Sequence, residues 1–343
     1  MPKSRLPDAE CFGVSRRRRS QVRILSEVSS LSTLTSEYTT LREGAGIVDR
    51  SQRGKLALAG ADAKGFLQGQ VTNDTERLVA GSGCYAAFLT PKGKMLGDLR
   101  ILDAGAELLL DTERGALQPL FNLIRRYSIG YDVTLHKRTL ESGLLSVIGP
   151  RAAFVVGASD LPGTEHAHAA VSLAGLEVRA IRTADGIDVL CAATDTETLR
   201  EALIRAGAAP VGEEAAECAR IESGRPRYGI ELDDTVIPQE AGLNARAVSF
   251  TKGCYVGQET VARLFYRGKP NRHLQGLRCE APVAPGDTVR FGERTVATVA
   301  SATVSPRLGP IALALVRREA PVDSPVNVGD GNVAARIVEL PFA

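Results

Sequence analysis

The stretch Lys252-Gly253-Cys254-Tyr255-Val256-Gly257-Gln258-Glu259, with Thr260-Val261-Ala262-Arg263-Leu264 behind it, is where the reading of this chain begins. Two glycines this close permit positive φ and let another group approach the backbone. From Gln258 onward good helix formers follow one another, with an acidic residue at the start, the charge that a helix N-terminus favours. Cys254 then stands just before a helix. There the helix dipole and Lys252 both favour the thiolate, the form that attacks electrophiles or binds metal. The other reading of Cys254 is a small buried residue, since free cysteine is among the most buried types.

Beyond Gly268 the text changes to short β runs at 274–279, 288–291, 296–304, 311–316, 326–328 and 333–339, punctuated by Gly, Pro and Asp. Six such runs predict a small barrel or sandwich over 271–343. Upstream, apolar alternation predicts strands at 55–59, 85–89, 99–102 and 107–111, with a helix over 61–70. A second set covers 144–148, 177–183 and 187–192, followed by a helix over 196–205 that Gly207 ends. The expected organisation is a basic tail over 1–36, one α+β unit over 37–140, a second over 141–270 carrying the Cys254 segment, and the barrel.

Two other passages carry candidate chemistry. Arg220-Ile221-Glu222-Ser223-Gly224-Arg225-Pro226-Arg227-Tyr228-Gly229, followed by Pro238-Gln239-Glu240-Ala241-Gly242-Leu243, reads as a helix end entering an ordered loop. Arginines there can grip a carboxylate or phosphate, and Glu222 or Glu240 can accept hydrogen bonds from amino groups of a heterocycle. Weak exposed ion pairs are the alternative. In Pro91-Lys92-Gly93-Lys94-Met95-Leu96-Gly97-Asp98-Leu99-Arg100, Asp98 could act as acid, base or partner of a substrate amine. Equally, Asp98 and Arg100 could be a surface pair.

Composition excludes several classes. At 44% hydrophobic and 24% charged residues the chain is an ordinary globular protein, and 343 residues exceed what one core usually serves. Residues 1–23 hold seven basic side chains against Asp8 and Glu10, so the net charge of +2 leaves the body slightly acidic. A broad nucleic-acid face is not expected. The Arg16–Arg19 run fits a solvated bacterial extension or an upstream start, with a nucleic-acid or membrane patch, or part of an organellar transit peptide, as the alternatives. Six scattered cysteines without a C-x-x-C pair argue against zinc or a disulfide framework, and no membrane span or secretory leader is read. A bacterial cytoplasm, or alternatively a mitochondrial matrix, is expected. His166 and His168 form a weak candidate metal pair; no metal site is expected.

In order and spacing these passages resemble the glycine-cleavage T-protein superfamily. Its start is similar to Gly44-Ala45-Gly46-Ile47-Val48-Asp49-Arg50-Ser51 and Phe66-Leu67-Gln68-Gly69-Gln70-Val71-Thr72-Asn73-Asp74. The octapeptide 252–259 resembles the signature of the YgfZ branch. That resemblance implies an α+β fold of two related units around a central folate channel, plus a C-terminal barrel. It further implies tetrahydrofolate as cofactor, a role in assembly or repair of iron-sulfur enzymes, and those enzymes or cluster assembly proteins as transient partners. Cys254, Lys252 and Asp98 are then the expected catalytic residues. Asn73, Glu222, Arg227, Tyr228, Glu240, Gln258 and Glu259 are the expected folate contacts.

The chain departs from the T-protein pattern twice. A Gly-Gly-x-x-Asp-Asp turn corresponds to Gly93-Lys94-Met95-Leu96-Gly97-Asp98, with one acid missing, and Gly-Glu-Asp-Gly corresponds to Thr183-Ala184-Asp185-Gly186. Aminomethyl transfer is thus the rival expectation rather than the first. A non-enzymatic scaffold docking through Tyr255 and Arg263 is the other rival.

Overall fold

The computed structural model describes residues 32–343. Most of the expected basic tail, with Arg16–Arg19 and Cys11, lies outside the described residues. Residues 32–36, read as tail, instead open a helix over 32–43. Leu34, Tyr38 and Leu41 recur on it at helical spacing and are buried, a stripe that the intervening Ser and Thr obscure in the sequence.

Two sheets form the body. The first has five strands in the spatial order Gly83–Leu89, Met95–Asp103, Glu107–Thr112, Gly54–Ala59 and Thr134–Lys137. The second has six, in the order Ala209–Pro210, Gly46–Asp49, Ser142–Ile148, Gly186–Ala192, Leu176–Arg182 and His168–Leu173. Period-two alternation gives each sheet an apolar and a polar face. Leu99 and Ile101 pack with Leu56, Phe88 and Leu110 against Phe66 and Leu67 of the helix Ala63–Gln68 and against Leu120 and Ile124 of the helix Arg114–Tyr127. Asp98 and Arg100, which alternate with them along the strand, take the other face. In the second sheet Leu145, Val147, Ile187 and Val189 pack on Val155 and Leu199 from the helices Ala152–Val156 and Thr196–Arg205.

Strand register lines the polar groups up. Tyr85 pairs with Arg100, Arg100 with Asp111, and Asp111 with Lys55, so four strands contribute one lateral row. On the second sheet Ser146 lies opposite Asp188 and donates to it at 2.6 Å. Arg100 joins the two sheets, reaching Asp111 at 2.7 Å and Asp188 at 2.8 Å. It is 8% exposed, so the expected surface pair with Asp98 gives way to a buried bridge to two other carboxylates. Charges tolerate such burial only when paired.

The two units interleave rather than divide at residue 140. Strand Gly46–Asp49 belongs to the second sheet, and Leu34, Leu41 and Val48 pack on Ala215 and Ala216. Conversely, Leu243, Val248, Tyr255 and Val261 cover Ala87, Leu89 and Met95 of the first sheet. The Cys254 segment therefore rides on the first unit, because that is where uncovered apolar strand surface lies.

The barrel forms as read. Six strands close in the order Arg272–Cys279, Gly309–Arg317, Arg294–Ser305, Thr288–Phe291, Pro325–Val328 and Val333–Val338, which leaves no open sheet edge. Ile311, Leu313 and Phe342 seat it on Ile221 of the helix Glu213–Glu222.

Candidate functional site

Between the facing polar surfaces lies a cavity of about 250 Å³, lined by Tyr85, Asp98, Arg100, His166, Arg227 and Arg246 among others. It shares Ile148, Glu165, Thr183, Asp185 and Ala219 with a wider cleft of about 890 Å³ that extends to the barrel and the chain end.

Asp98 is the buried acid of this cavity. The Tyr85 hydroxyl donates to its Oδ2 at 2.5 Å, and Thr112 Oγ1 donates to its backbone oxygen at 2.5 Å. Burial drives the carboxyl up to about 6, against the opposing pull of the Tyr85 hydroxyl and Arg53. Burial and the Asp98 charge push the Tyr85 hydroxyl well above its ordinary range. The Arg246 guanidinium covers the Tyr85 ring, 5.2 Å from its centroid, and binds Glu165 at 2.8 Å. Arg225 reaches the same Glu165 oxygen at 3.3 Å. Burial alone would raise the Glu165 carboxyl, but Arg246 and Arg225 outweigh it and hold it below the usual range.

Of the residues expected from the sequence, the structure gathers Asp98, Arg227 and Tyr228 at this cavity. Arg227 is held by Glu113 and Glu217, each at 3.4 Å, and the Tyr228 hydroxyl donates to the Leu96 carbonyl at 3.0 Å. Glu222 lines the wider cleft instead. It accepts from the Tyr38 hydroxyl at 2.8 Å and from Ser305, tying the N-terminal helix to the barrel. Asn73 lies outside the lining and supports it, donating to the Tyr85 carbonyl at 2.9 Å and the Arg246 carbonyl at 3.2 Å. Glu240 faces the barrel seam, where Arg272 engages both its oxygens at 3.0 Å.

Lys252 and Cys254 lie outside the cavity lining that holds Asp98. The Lys252 ammonium donates to the carbonyls of Gln68, Val71 and Asn73 at 2.6, 2.7 and 2.9 Å and lies over the Tyr255 ring. All three N–H donors are thereby committed. Burial lowers this ammonium to about 8. Lys252 is therefore a peg that fastens the segment to the first unit, not a free cation beside a thiolate. Cys254 is exposed on that pegged loop.

Gly257, at φ +83°, caps the helix Gln258–Arg267. Its backbone presses on the 90–94 turn so closely that an added Cβ would lie 2.5 Å from the Thr90 oxygen. Gln258 turns back toward the Gly253 carbonyl at 3.5 Å, and Glu259 is exposed on the first helical turn. Neither lines the cavity. Tyr255 is 7% exposed, so the outer face here is formed by Arg263, Phe265 and Tyr266.

Four cavity residues were not singled out as ligand contacts from the sequence: Tyr85, Glu165, His166 and Arg246. They come from separate segments, and the available signal was the alternation that sets Asp98 and Arg100 on one strand face. Among the described residues no group of His, Cys, Asp and Glu could hold a metal ion, and no helix is long and apolar enough to cross a membrane.

Residues 22–252 match the GCVT N-terminal domain, and residues 272–343 match the glycine cleavage T-protein C-terminal barrel domain. The chain belongs to the glycine cleavage T-protein family. The aminomethyltransferase of Rubrobacter xylanophilus is 32% identical over 321 residues, covering 90% of this chain and 86% of that protein. That of Exiguobacterium sibiricum is 30% identical, covering 91% and 89%. The crystal structure of glycine cleavage system aminomethyltransferase T from Bartonella henselae superposes with a TM-score of 0.80 at 23% identity, over 90% of this chain and 89% of that one, and shares the fold.

Residues 253–271, with Cys254, fall between the two matched stretches. Gly97 sits on the apolar face of its strand, where an added Cβ would meet the Leu120 side chain at 3.0 Å, so a side chain at this position would have to displace that leucine. Ala184 lines the wider cleft, and Asp185 lines both spaces.

Proposed function

We propose that the protein binds a reduced folate between its two sheets and serves iron-sulfur enzymes as an accessory factor, with Cys254 as its key thiol. The observation that carries this reading is a division of labour. One buried acid, Asp98, with its tyrosine partner faces an internal cavity, whereas the cysteine stands exposed on a loop that Lys252 pegs in place. Of the two acids in the T-protein turn only Asp98 is present, which weakens the case for aminomethyl transfer.

The residues present suit a reduced folate. Tyr228 and the Arg246 guanidinium, which stacks on Tyr85, line the cavity as flat groups a ring can lie against, and Asp98 and Glu165 can accept from ring N–H groups. Arg42, Arg182 and Arg307 line the wider cleft, where a carboxylate tail would be held. A bound reduced folate supplies amine nitrogens able to carry a one-carbon unit. The protein's own part is to bury the ring away from water, orient it beside Tyr85 and hold at Asp98 a carboxyl that exchanges its proton at about pH 6. Cys254, outside this lining, meets its partner at the surface.

The second reading, folate-dependent aminomethyl transfer, draws on the full-length relatives of that name and on the retention of Asp98. An aminomethyl-lipoyl transfer assay separates the two. Robust turnover that survives Cys254→Ala would replace the accessory reading. Cells lacking the protein are expected to lose activity of certain cluster enzymes and to regain it with wild type but not with Cys254→Ala; equal recovery by both removes Cys254 from the function.

A further inference from the structure

His166 is a side chain that neither the fold nor the proposed chemistry uses. It lines the central cavity beside Arg100, Glu165 and Arg246. Its backbone sits at φ +72°, a left-handed conformation in which any residue but glycine is disfavoured, although His, Asn and Asp enter it more readily than most. Strain of this kind gathers at functional sites, where it fixes the aim of a side chain. Gly83 lies directly against it: an added Cβ there would lie 2.7 Å from the Ile101 oxygen and from Leu102 Cδ2, and 3.0 Å from the His166 Cβ. The imidazole Nδ1 is buried without a hydrogen-bond partner, which is costly unless a ligand supplies one.

The surroundings decide which kind of ligand atom fits. Burial and the neighbouring Arg100 hold the imidazole down to about 4, so it is neutral at physiological pH. Nε2 faces the Glu165 carboxylate at 3.9 Å, too long for a hydrogen bond but favourable to keeping the ring proton on that nitrogen. Nδ1 is then a bare lone pair, an acceptor that requires a donor.

We propose that His166 is a ligand-recognition residue whose Nδ1 accepts a hydrogen bond from an N–H of the reduced pterin ring held in the cavity. The proposal rests on the reading of this cavity as a reduced-folate site. It assigns a contact additional to Asp98 and selects ring forms that keep that N–H.

Two substitutions separate recognition from backbone strain. His166→Gly removes the acceptor and suits the left-handed backbone. His166→Asn tolerates the same backbone and places an acceptor oxygen where Nδ1 stands. Tetrahydrofolate is titrated calorimetrically into the full-length wild type and both variants, with urea midpoints measured alongside. His166→Gly is expected to raise Kd about five- to ten-fold, the worth of one hydrogen bond, with no fall in the urea midpoint. His166→Asn is expected to stay within about two-fold of wild type. A wild-type Kd for His166→Gly overturns the proposal while leaving the folate reading intact, and an Asn variant as weak as the Gly variant also overturns it. Failure of the wild type to bind removes the folate reading and this contact with it.

Discussion

Replacing Asp98 by Asn tests whether the cavity acid is held at the expense of stability. Its carboxyl rises from an ordinary value of 3.8 to about 6, chiefly through burial, with Tyr85, Arg53 and Glu113 as the facing groups. For an acid with a raised folded pKa, the ionised form is the one that folding disfavours. The destabilisation is absent below the unfolded pKa near 4, grows as pH climbs from 4 to 6, and is constant above 6. A gap of about two pH units at 1.36 kcal/mol each amounts to ~3 kcal/mol at pH 7.5. Asn keeps an oxygen able to accept from the Tyr85 hydroxyl and carries no charge. The stability of Asp98→Asn relative to wild type should therefore rise by ~3 kcal/mol between pH 4 and pH 6.5 and then level off. The chain has no tryptophan, so urea unfolding is followed by far-UV circular dichroism at several pH values. A difference that is flat across this range, or that falls as pH rises, refutes the buried-acid assignment.

Other outcomes follow from the same contacts. Arg100→Met leaves Asp111 and Asp188 without the cation that joins the sheets, and should cost roughly 3–5 kcal/mol in urea unfolding. Lys252→Met strips three carbonyls of their donor and should destabilise by about 2–4 kcal/mol, while Cys254→Ala should change stability by less than about 0.5 kcal/mol. Among the cysteines of the described residues, iodoacetamide at pH 7.5 should alkylate Cys254 first in the native protein. Burial pushes Cys84 up to about 12 and Cys218 and Cys279 up to about 11, so mass spectrometry should find these three labelled only slowly.

The barrel strands and most of the longer body strands were legible in the sequence because their signal is local, whereas Thr134–Lys137 and His168–Leu173 were not read as strands. Alternation and turn residues mark the barrel runs closely, and Gly207 follows the helix Thr196–Arg205 as expected. The helix Arg114–Tyr127 was not, since Pro119 lies inside it and its apolar stripe is spread between charges. Strand Gly46–Asp49 is short, and which sheet it joins is a long-range matter that no local pattern encodes.

The site was half legible. Asp98 was readable as a candidate acid, but Tyr85, Glu165, His166 and Arg246 converge on it only through sheet register and loop packing. Lys252 shows the opposite error. Next to a cysteine it reads as an activating cation, yet the fold turns it inward to three carbonyls. Sequence adjacency set Lys252 beside Cys254, and the directions of their side chains part them.

Titration of tetrahydrofolate into wild type, Cys254→Ala and Arg246→Ala bears most directly on the cavity as a folate site separate from the cysteine loop. Wild type and Cys254→Ala should bind with the same Kd, and Arg246→Ala, which uncovers Tyr85 and leaves Glu165 to Arg225 alone, should bind at least about ten-fold more weakly. No detectable binding by wild type at millimolar ligand, or a Kd that depends on Cys254 and not on Arg246, would contradict it.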